Sequence, residues 1–190
     1  MPARHVLLAW IGIAATLTLA TGAAGADYRR MTARYEVPAV TLVDQTGAAA
    51  PLDRVLSAGR PVILEFFFSS CPTICGLMAS TLGAAQPALA EIAADYRMVS
   101  ISIDPEYDTP PRLAAYAVQF DAGPHWTLLT GQEDAVAQVV RAFDARAVAD
   151  NKMYHQPLIF IRPRAGAPWV RLDGLLTPDE LRAEVESALR

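Results

Sequence analysis

The chain has 190 residues, with 16 Lys and Arg against 20 Asp and Glu, a formal net charge of −4 with histidine neutral. It contains no basic run or stripe, which argues against a nucleic acid as partner. Its length fits one domain with its own core, and its two cysteines are too few for a disulfide-stapled scaffold.

The first 26 residues have the features of a secretory signal peptide. A short basic start precedes an uncharged apolar stretch (6–21), and residues 24–26 (AGA) form an A-x-A cleavage site. We expect cleavage there, with residues 27–190 forming the mature domain in the periplasm. The alternative is an uncleaved anchor formed by residues 6–24, because the apolar stretch nearly reaches the roughly 20 residues that span a bilayer.

The first part of the mature chain predicts strands around one turn. Residues 27–38 look irregular, and a strand is expected at 40–43, followed by a hairpin turn around Thr46-Gly47. Residues 61–68 (PVILEFFF) form a mostly apolar run of strand length. Such a run predicts a central strand that is buried on both faces.

A helix is expected next, starting at Pro72 and bent or ended by Gly83 and Pro87. Residues 97–103 (RMVSISI) then predict a strand. Residues 109–120 (TPPRLAAYAVQF) predict a helix with the threonine as N-cap and prolines in the first turn.

The alternation of strands and helices continues toward the C-terminus. Residues 126–130 (WTLLT) predict a strand, and Thr130 with Glu133 predicts a capping box for a helix that runs through Phe143. Two further strands are expected at 157–161 and 169–175, and we expect them to pair in antiparallel fashion.

A second capping box, residues 177–180 (TPDE), opens the last helix. Strands that alternate with helices, closed by a hairpin and a terminal helix, imply an α/β fold with a mixed central sheet flanked by helices. This is the order of elements in the thioredoxin-like fold. We therefore expect residues 27–190 to form a single thioredoxin-like domain.

The two cysteines, Cys71 and Cys75, follow the predicted central strand in FFFSSCPTICGLM. A disulfide between them would close a short loop and stabilise the fold by only roughly 2 kcal/mol, whereas a disulfide that closes a hundred-residue loop contributes about 4.7 kcal/mol. A functional pair is therefore favoured over a stabilising bridge. We expect Cys71 at the helix N-cap, where the helix dipole stabilises a thiolate. Cys75 lies one turn further on the same face, so the two sulfurs can close on one metal ion or on each other.

Two thiolates need a further donor to complete most metal sites, and the chain has three histidines. His5 belongs to the signal, and His125 is typical of a surface loop. His155, in NKMYHQPLIF, immediately precedes a predicted strand, where it can face the cysteines. Structural zinc prefers four protein ligands, whereas soft thiolates with one imidazole suit Cu(I). The residues alone indicate a redox-active or copper-binding dithiol in an exported α/β domain.

The sequence resembles the Sco/SenC copper proteins, which are thioredoxin-fold assembly factors for cytochrome c oxidase. The resemblance rests on FFFSSCPTICGLM, on SISIDPEYDTP (100–110) and on the histidine before PLIFI, and it runs from the forties to the C-terminus. It implies a metallochaperone that delivers Cu(I) or Cu(II) to the copper-receiving subunit of the oxidase. It also implies that Cys71, Cys75 and His155 bind the copper.

Two positions depart from the family pattern, and neither removes a ligand. Gly76 stands where the family usually has proline, and Tyr154 stands where it usually has an acidic residue.

Asp104 either turns the chain after its strand, which we favour, or borders the metal site. Met78 and Met153 carry soft sulfur for a further copper contact, although packing or exposure is the favoured role of each.

Other functions use the same cysteines. In a thiol-disulfide oxidoreductase, Cys71 would attack a disulfide of an oxidase subunit or of another periplasmic copper or redox protein, and Cys75 would resolve it. A peroxidase and a structural module with an incidental disulfide are the remaining alternatives.

Overall fold

A mixed sheet organises the part of the chain that the computed structural model describes, residues 28–57, 59–146 and 151–190. The strands in chain order are β1 (Tyr28–Ala33), β2 (Thr41–Asp44), β3 (Ala49–Pro51), β4 (Val62–Phe67), β5 (Arg97–Ser102), β6 (Trp126–Thr130), β7 (Leu158–Arg162) and β8 (Trp169–Gly174). The helices are α1 (Leu52–Leu56), α2 (Ile74–Ile92), α3 (Pro110–Gln119), α4 (Glu133–Ala142) and α5 (Pro178–Leu189). The predicted signal peptide lies outside the described residues. Within them, no helix is both long and apolar enough to span a membrane.

The strand order is β1-β8-β7-β4-β5-β6-β2-β3. Strands β4, β5 and β6 are parallel, and the other neighbouring pairs are antiparallel, including the predicted β7–β8 pair. Helices α2, α3 and α5 pack on one face of the sheet through a core that includes Leu82, Leu113 and Leu181. Helices α1 and α4 pack on the other face, through Leu52 and Val136. The predicted α/β class with a mixed sheet flanked by helices is confirmed.

Strand β4 is buried along its whole length. Ile63 and Phe67 contribute to the core beneath α2, whereas Leu64 and Phe66 contribute to the core beneath α1 and α4. Because both faces are covered, the strand is apolar at nearly every position rather than at every second one. The predicted central strand is therefore confirmed, and its carboxyl end leads directly to the cysteine pair.

Helix α2 continues past Gly83 and Pro87 to Ile92, so neither residue ends it, contrary to one of the two expected outcomes. Gly83 allows a close approach, because a Cβ atom there would lie 2.7 Å from the carbonyl oxygen of Phe120. Pro87 lacks the N–H that would bond the Gly83 carbonyl, but the side-chain amide of Gln86 donates to that carbonyl at 3.2 Å. The helix therefore keeps this acceptor paired.

Strand β1 corrects the prediction that residues 27–38 are irregular. It forms an edge strand paired with β8 along its whole length. Four of its six residues are exposed, so it lacks the apolar alternation that predicts a strand. Side chains add to its backbone ladder, because Tyr28 and Arg30 bond the carboxylate of Glu184 at 2.9 and 2.8 Å.

The capping box predicted at Thr130 and Glu133 is wrong. Thr130 is buried as the last residue of β6, where it pairs with Val43, and α4 begins at Glu133 with Gln132 as its N-cap. The pairing with β2 therefore outweighs the local capping preference of threonine.

Other turns and caps follow the prediction. Thr109 is the N-cap of α3, and the hairpin between β2 and β3 turns through Gly47, whose φ is 86°. At the start of α5, the Thr177 hydroxyl accepts from the Glu180 N–H at 3.2 Å, and the Glu180 carboxylate accepts from the Thr177 N–H at 2.8 Å. Helix α1 was not predicted, since it has only five residues.

Two glycine substitutions in α2 test this packing. A Cβ at Gly76 meets only Phe120 Cζ at 3.8 Å, an ordinary contact, so Gly76→Ala should raise the free energy of unfolding by about 0.5 kcal/mol. Gly83→Ala should lower it by about 1–3 kcal/mol, because the Phe120 backbone cannot move aside easily. Denaturant unfolding followed by circular dichroism measures both. A Gly83→Ala protein as stable as its parent would contradict the close approach.

Candidate metal centre

Three segments meet at the edge of the sheet where β4 ends. The cysteine turn follows β4, and the DPEYDTP segment follows β5, whose last residue Ser102 pairs with Phe67. Strand β7 is antiparallel to β4, with Ile159 opposite Glu65, so the residues just before β7 reach the same edge. Sites in such sheets form beyond the carboxyl ends of the parallel strands. The predicted site residues therefore lie on segments that the topology brings together.

Cys71 is not the N-cap of α2, contrary to the prediction. The helix begins at Ile74, and its N-cap is Thr73 with φ −128° and ψ −93°. The cause is a turn in which the Cys71 N–H donates to the Phe68 carbonyl at 3.2 Å, so that the helical ladder starts further along. Both cysteines are free thiols; Cys71 is partly buried and Cys75 is 2% exposed.

The two thiols have opposite electrostatic environments. Burial raises the pKa of Cys71, but hydrogen bonds from the thiol and N–H of Cys75 and from Thr73 outweigh it, so the net pKa lies below its ordinary value. The Thr73 hydroxyl lies 3.7 Å from the Cys71 sulfur. Burial and the hydrogen bond to Cys71 raise the pKa of Cys75 well above its ordinary value. The pair therefore combines an outer thiol that ionises more readily than usual with an inner thiol that ionises less readily.

A buried carboxyl lies on the same face of β4 as this pair, and the sequence analysis gave it no role. Glu65 is 1% exposed and accepts a hydrogen bond from the Ser100 hydroxyl at 2.6 Å, which in turn accepts from the Trp126 indole at 2.8 Å. Burial raises the pKa of Glu65 to about 7. When ionised, its charge further raises the pKa of Cys75.

His155 follows a 3₁₀ turn, Lys152–Tyr154, and is 5% exposed. Neither of its ring nitrogens has a hydrogen-bond partner among the described residues. Burial lowers the pKa of the ring to about 4, so the imidazole is neutral at pH 7, the form that binds metals. Buried polar atoms are normally paired, and two unpaired nitrogens on one ring fit the donor set of a metal ligand.

The structure brings together two of the three predicted ligands. Cys71 and Cys75 lie close enough for each to shift the pKa of the other. Within the described part of the chain, no three His, Cys, Asp or Glu side chains lie close enough to hold one metal ion. The donor chemistry fits a soft metal, and binding by all three requires the His155 ring and the two sulfurs to lie closer together than they do in this structure.

The main residue that the sequence analysis missed is Asp108, which is 0% exposed. Its carboxylate accepts hydrogen bonds from the Ser69 N–H at 3.0 Å, from the Ser69 hydroxyl and from the Ser102 hydroxyl at 2.5 Å. It thereby fixes the turn before Cys71. The SIDPEYDTP motif contained this residue, but its contact with Ser69 spans 39 positions and has no local signal.

Asp104 turns the chain, as expected. Its carbonyl accepts from the N–H groups of Tyr107 and Asp108 at 3.1 and 2.8 Å. Its carboxylate also pairs with Lys152 at 2.5 Å, on the segment that carries His155. Asp104 therefore has a contact that the sequence analysis did not predict.

The remaining candidates have ordinary environments. Met78 is buried in the core, and Met153 is 52% exposed. His125 precedes β6 at the opposite edge of the sheet and stacks on Tyr96, with ring centroids 4.9 Å apart. The three phenylalanines 66–68 are core residues, in agreement with the buried run predicted at 61–68.

The buried His155 should make the metal-free protein less stable below neutral pH. Because its pKa falls from 6.5 to about 4 on folding, the unfolded chain binds more protons between these values. Above pH 6.5 the buried ring does not lower the free energy of unfolding. As the pH falls from 6.5 toward 4, the free energy of unfolding decreases by up to about 1.4 kcal/mol per pH unit. Urea unfolding at pH 7, 6 and 5 should show a steeper loss for the parent than for His155→Leu. Equal slopes would contradict the buried, neutral ring.

The thiol asymmetry predicts ordered alkylation. At pH 7, iodoacetamide should modify Cys71 at least about tenfold faster than Cys75, because the thiolate is the reactive form and Cys75 is also shielded. Peptide mass spectrometry of the reduced protein at short reaction times measures both rates. Equal rates would show that the two thiols share one environment.

Comparisons with known proteins identify the family of the chain. The SCO1/SenC family model matches residues 29–190. The SCO1 protein homolog of Bacillus subtilis is 28% identical over 165 residues, covering 81% of this chain and 83% of that protein.

Two solved structures are also similar. ScoI of Bradyrhizobium japonicum, solved with copper bound, has a TM-score of 0.63 and 28% identity, covering 78% of this chain and 96% of that one. BsSco, a member of the Sco family of cytochrome c oxidase assembly proteins in which a disulfide switch was identified, has a TM-score of 0.68 and 25% identity. The alignment covers 84% of this chain and 96% of BsSco. These neighbours confirm the thioredoxin-like fold, and the chain belongs to the SCO1/SenC family.

Proposed function

We propose that this protein is a periplasmic copper metallochaperone, which holds copper through Cys71, Cys75 and His155 and delivers it to the copper-receiving subunit of a cytochrome c oxidase. The observation that carries the proposal is His155, a buried neutral imidazole with both nitrogens unpaired among the described residues, on a segment that reaches the edge of the cysteine pair. Copper bound to ScoI and the role of the Sco family in oxidase assembly support it.

The donor types favour copper over zinc. Two thiolates and one imidazole form a soft set of three, and Cu(I) accepts so few ligands, whereas structural zinc prefers four. The nearby carboxylates are engaged elsewhere, since Asp108 bonds Ser69 and Asp104 pairs with Lys152. Neither carboxylate is therefore free to act as a fourth ligand.

The pKa values assign different parts to the two cysteines. Cys71 is the more accessible thiol of the pair and its pKa lies below the ordinary value, so it is suited to make the first contact with the metal. Cys75 has a raised pKa and must release its proton when it binds. Copper affinity should therefore increase with pH, and the proton lost from Cys75 gives the site a way to release its cargo when that thiol is protonated again.

The two family departures affect the surroundings of the site rather than its ligands. Tyr154 is 63% exposed, and no carboxylate among the described residues bonds the His155 ring. A partner on the second nitrogen normally orients a histidine ligand and raises its basicity, so its absence weakens the hold of His155 on the metal. Gly76 lies within the first turn of α2, where a Cβ atom would make only an ordinary contact with Phe120 Cζ at 3.8 Å.

A second candidate function is thiol-disulfide exchange, which the asymmetry of the thiols favours. The Cys71 thiolate would attack a client disulfide and form a mixed disulfide, releasing one client thiolate. Cys75, after losing its proton, would then attack the Cys71 sulfur. This step closes the Cys71–Cys75 disulfide and releases the second client thiolate, so the client gains the two electrons that the pair loses. The disulfide switch identified in BsSco is consistent with this chemistry.

An anaerobic Cu(I) titration of the reduced protein against a competing chelator tests the first proposal. We expect one tightly bound copper per chain, and affinity at least about tenfold lower in each of Cys71→Ser, Cys75→Ser and His155→Ala. His125→Ala is the matched control and should bind as the parent does, because it lies at the opposite edge of the sheet.

Two results would redirect the interpretation. A His155→Ala protein that binds as tightly as the parent would contradict the three-ligand site. No tight copper in the reduced parent would favour thiol exchange, and the reduction potential of the pair would then decide between exchange and a structural role.

A further inference from the structure

We propose that Lys152 and Asp104 are positioning residues of the candidate site: their ion pair holds the segment that carries His155 against the turn that carries Cys71. The proposal rests on the proposed function in so far as it concerns copper. The hold on the segment itself is a property of the metal-free protein and can be measured separately.

The ion pair joins two segments that are far apart in sequence. Lys152 Nζ lies 2.5 Å from Asp104 Oδ2, and the Asp104 side chain is 12% exposed. The same Nζ lies 5.7 Å from the ring centroid of Phe68, over its face, where a cation is favoured. Lys152 is the only lysine of the chain. Its ammonium group therefore contacts both the DPEYDTP segment and the end of the strand that leads to Cys71.

The carboxylate end of the pair is fixed to the cysteine turn. The Asp104 N–H donates to the Ser102 hydroxyl at 3.0 Å, and that hydroxyl donates to Asp108 at 2.5 Å. Asp108 in turn accepts from the Ser69 N–H at 3.0 Å. A continuous chain of polar contacts thus runs from Lys152 to a residue two positions before Cys71.

The lysine end of the pair is fixed to His155. The His155 N–H donates to the Lys152 carbonyl at 3.0 Å, and the Tyr154 N–H donates to the Asn151 carbonyl at 2.9 Å. The Asn151 side chain also accepts from the Met153 N–H at 3.0 Å. These bonds make residues 151–155 one compact turn, so the position of Lys152 sets the position of the His155 backbone.

The ring of His155 is packed at 5% exposure, but within the described part of the chain neither a hydrogen bond from the ring nor the β4–β7 ladder fixes its position. Its ring nitrogens have no partner among the described residues, so no hydrogen bond from the ring orients it. The pairing of β7 with β4 begins at Ile159, four residues after His155, so this ladder does not reach the histidine. The ion pair is therefore well placed to decide how near the imidazole comes to the two sulfurs.

The test compares Lys152→Gln, Asp104→Asn and the double variant with the parent. Lys152→Arg keeps the positive charge and should preserve the hold of the ion pair on the His155 segment. Arg60→Gln is the matched control, because Arg60 forms an ion pair with Asp95 at the same distance, 2.5 Å, and precedes the opposite end of β4. Two quantities are measured on the reduced protein: Cu(I) affinity against a chelator, and hydrogen exchange of the backbone amides of residues 151–157 without metal.

We expect each single variant to bind Cu(I) about fivefold more weakly than the parent, within the range of one partly exposed ion pair, and the double variant to be no weaker than either. The amides of the segment should exchange faster in all three. Lys152→Arg and Arg60→Gln should match the parent in both measurements. These results would support the positioning role.

Parent-like copper affinity in Lys152→Gln overturns the proposal, whatever the exchange shows. An equal loss of affinity in Arg60→Gln also overturns it, because the effect would then not be local. If the parent itself binds no copper, the proposed function fails and the exchange data decide alone. Faster exchange confined to the pair variants would then still support the hold on the segment, and unchanged exchange would overturn it.

Discussion

The buried carboxylate of Asp108 is the contact on which the geometry of the site depends. An ionised carboxylate at 0% exposure is costly unless its oxygens are paired, and here they accept from Ser69 and Ser102. Moving the cysteine turn would break these bonds and leave a buried charge uncompensated. The turn that carries Cys71 is therefore held to the end of β5. Asp104, four residues before Asp108, extends the same network toward the His155 segment.

Burial also explains the chemistry of the donors. Cys75 and His155 are both nearly inaccessible, and burial disfavours the charged form of each, which leaves a neutral thiol and a neutral imidazole. Cys71 is less buried and receives hydrogen bonds, so of the two thiols it alone has a lowered pKa. At the carboxyl edge of the sheet, an accessible thiol, Cys71, thus accompanies two buried donors, Cys75 and His155. This is an arrangement suited to a metal that is held and then passed on.

The sequence was sufficient where the signal is local. The apolar run of β4, the β7–β8 pair and the Thr177 capping box each depend on neighbouring residues. Errors arose where a distant contact decides. Thr130 stays in β6 because it pairs with Val43 on a neighbouring strand. The Asp108 and Lys152 contacts were beyond reach for the same reason.

The central claim is that two cysteine sulfurs and one histidine nitrogen form the copper site. X-ray absorption at the copper K-edge of the reduced, Cu(I)-loaded protein measures the identity of the atoms around the metal. We expect two sulfur neighbours and one nitrogen neighbour, with the nitrogen lost in His155→Ala. A shell of sulfur alone in the parent would contradict it, because His155 would then have no part in holding the metal.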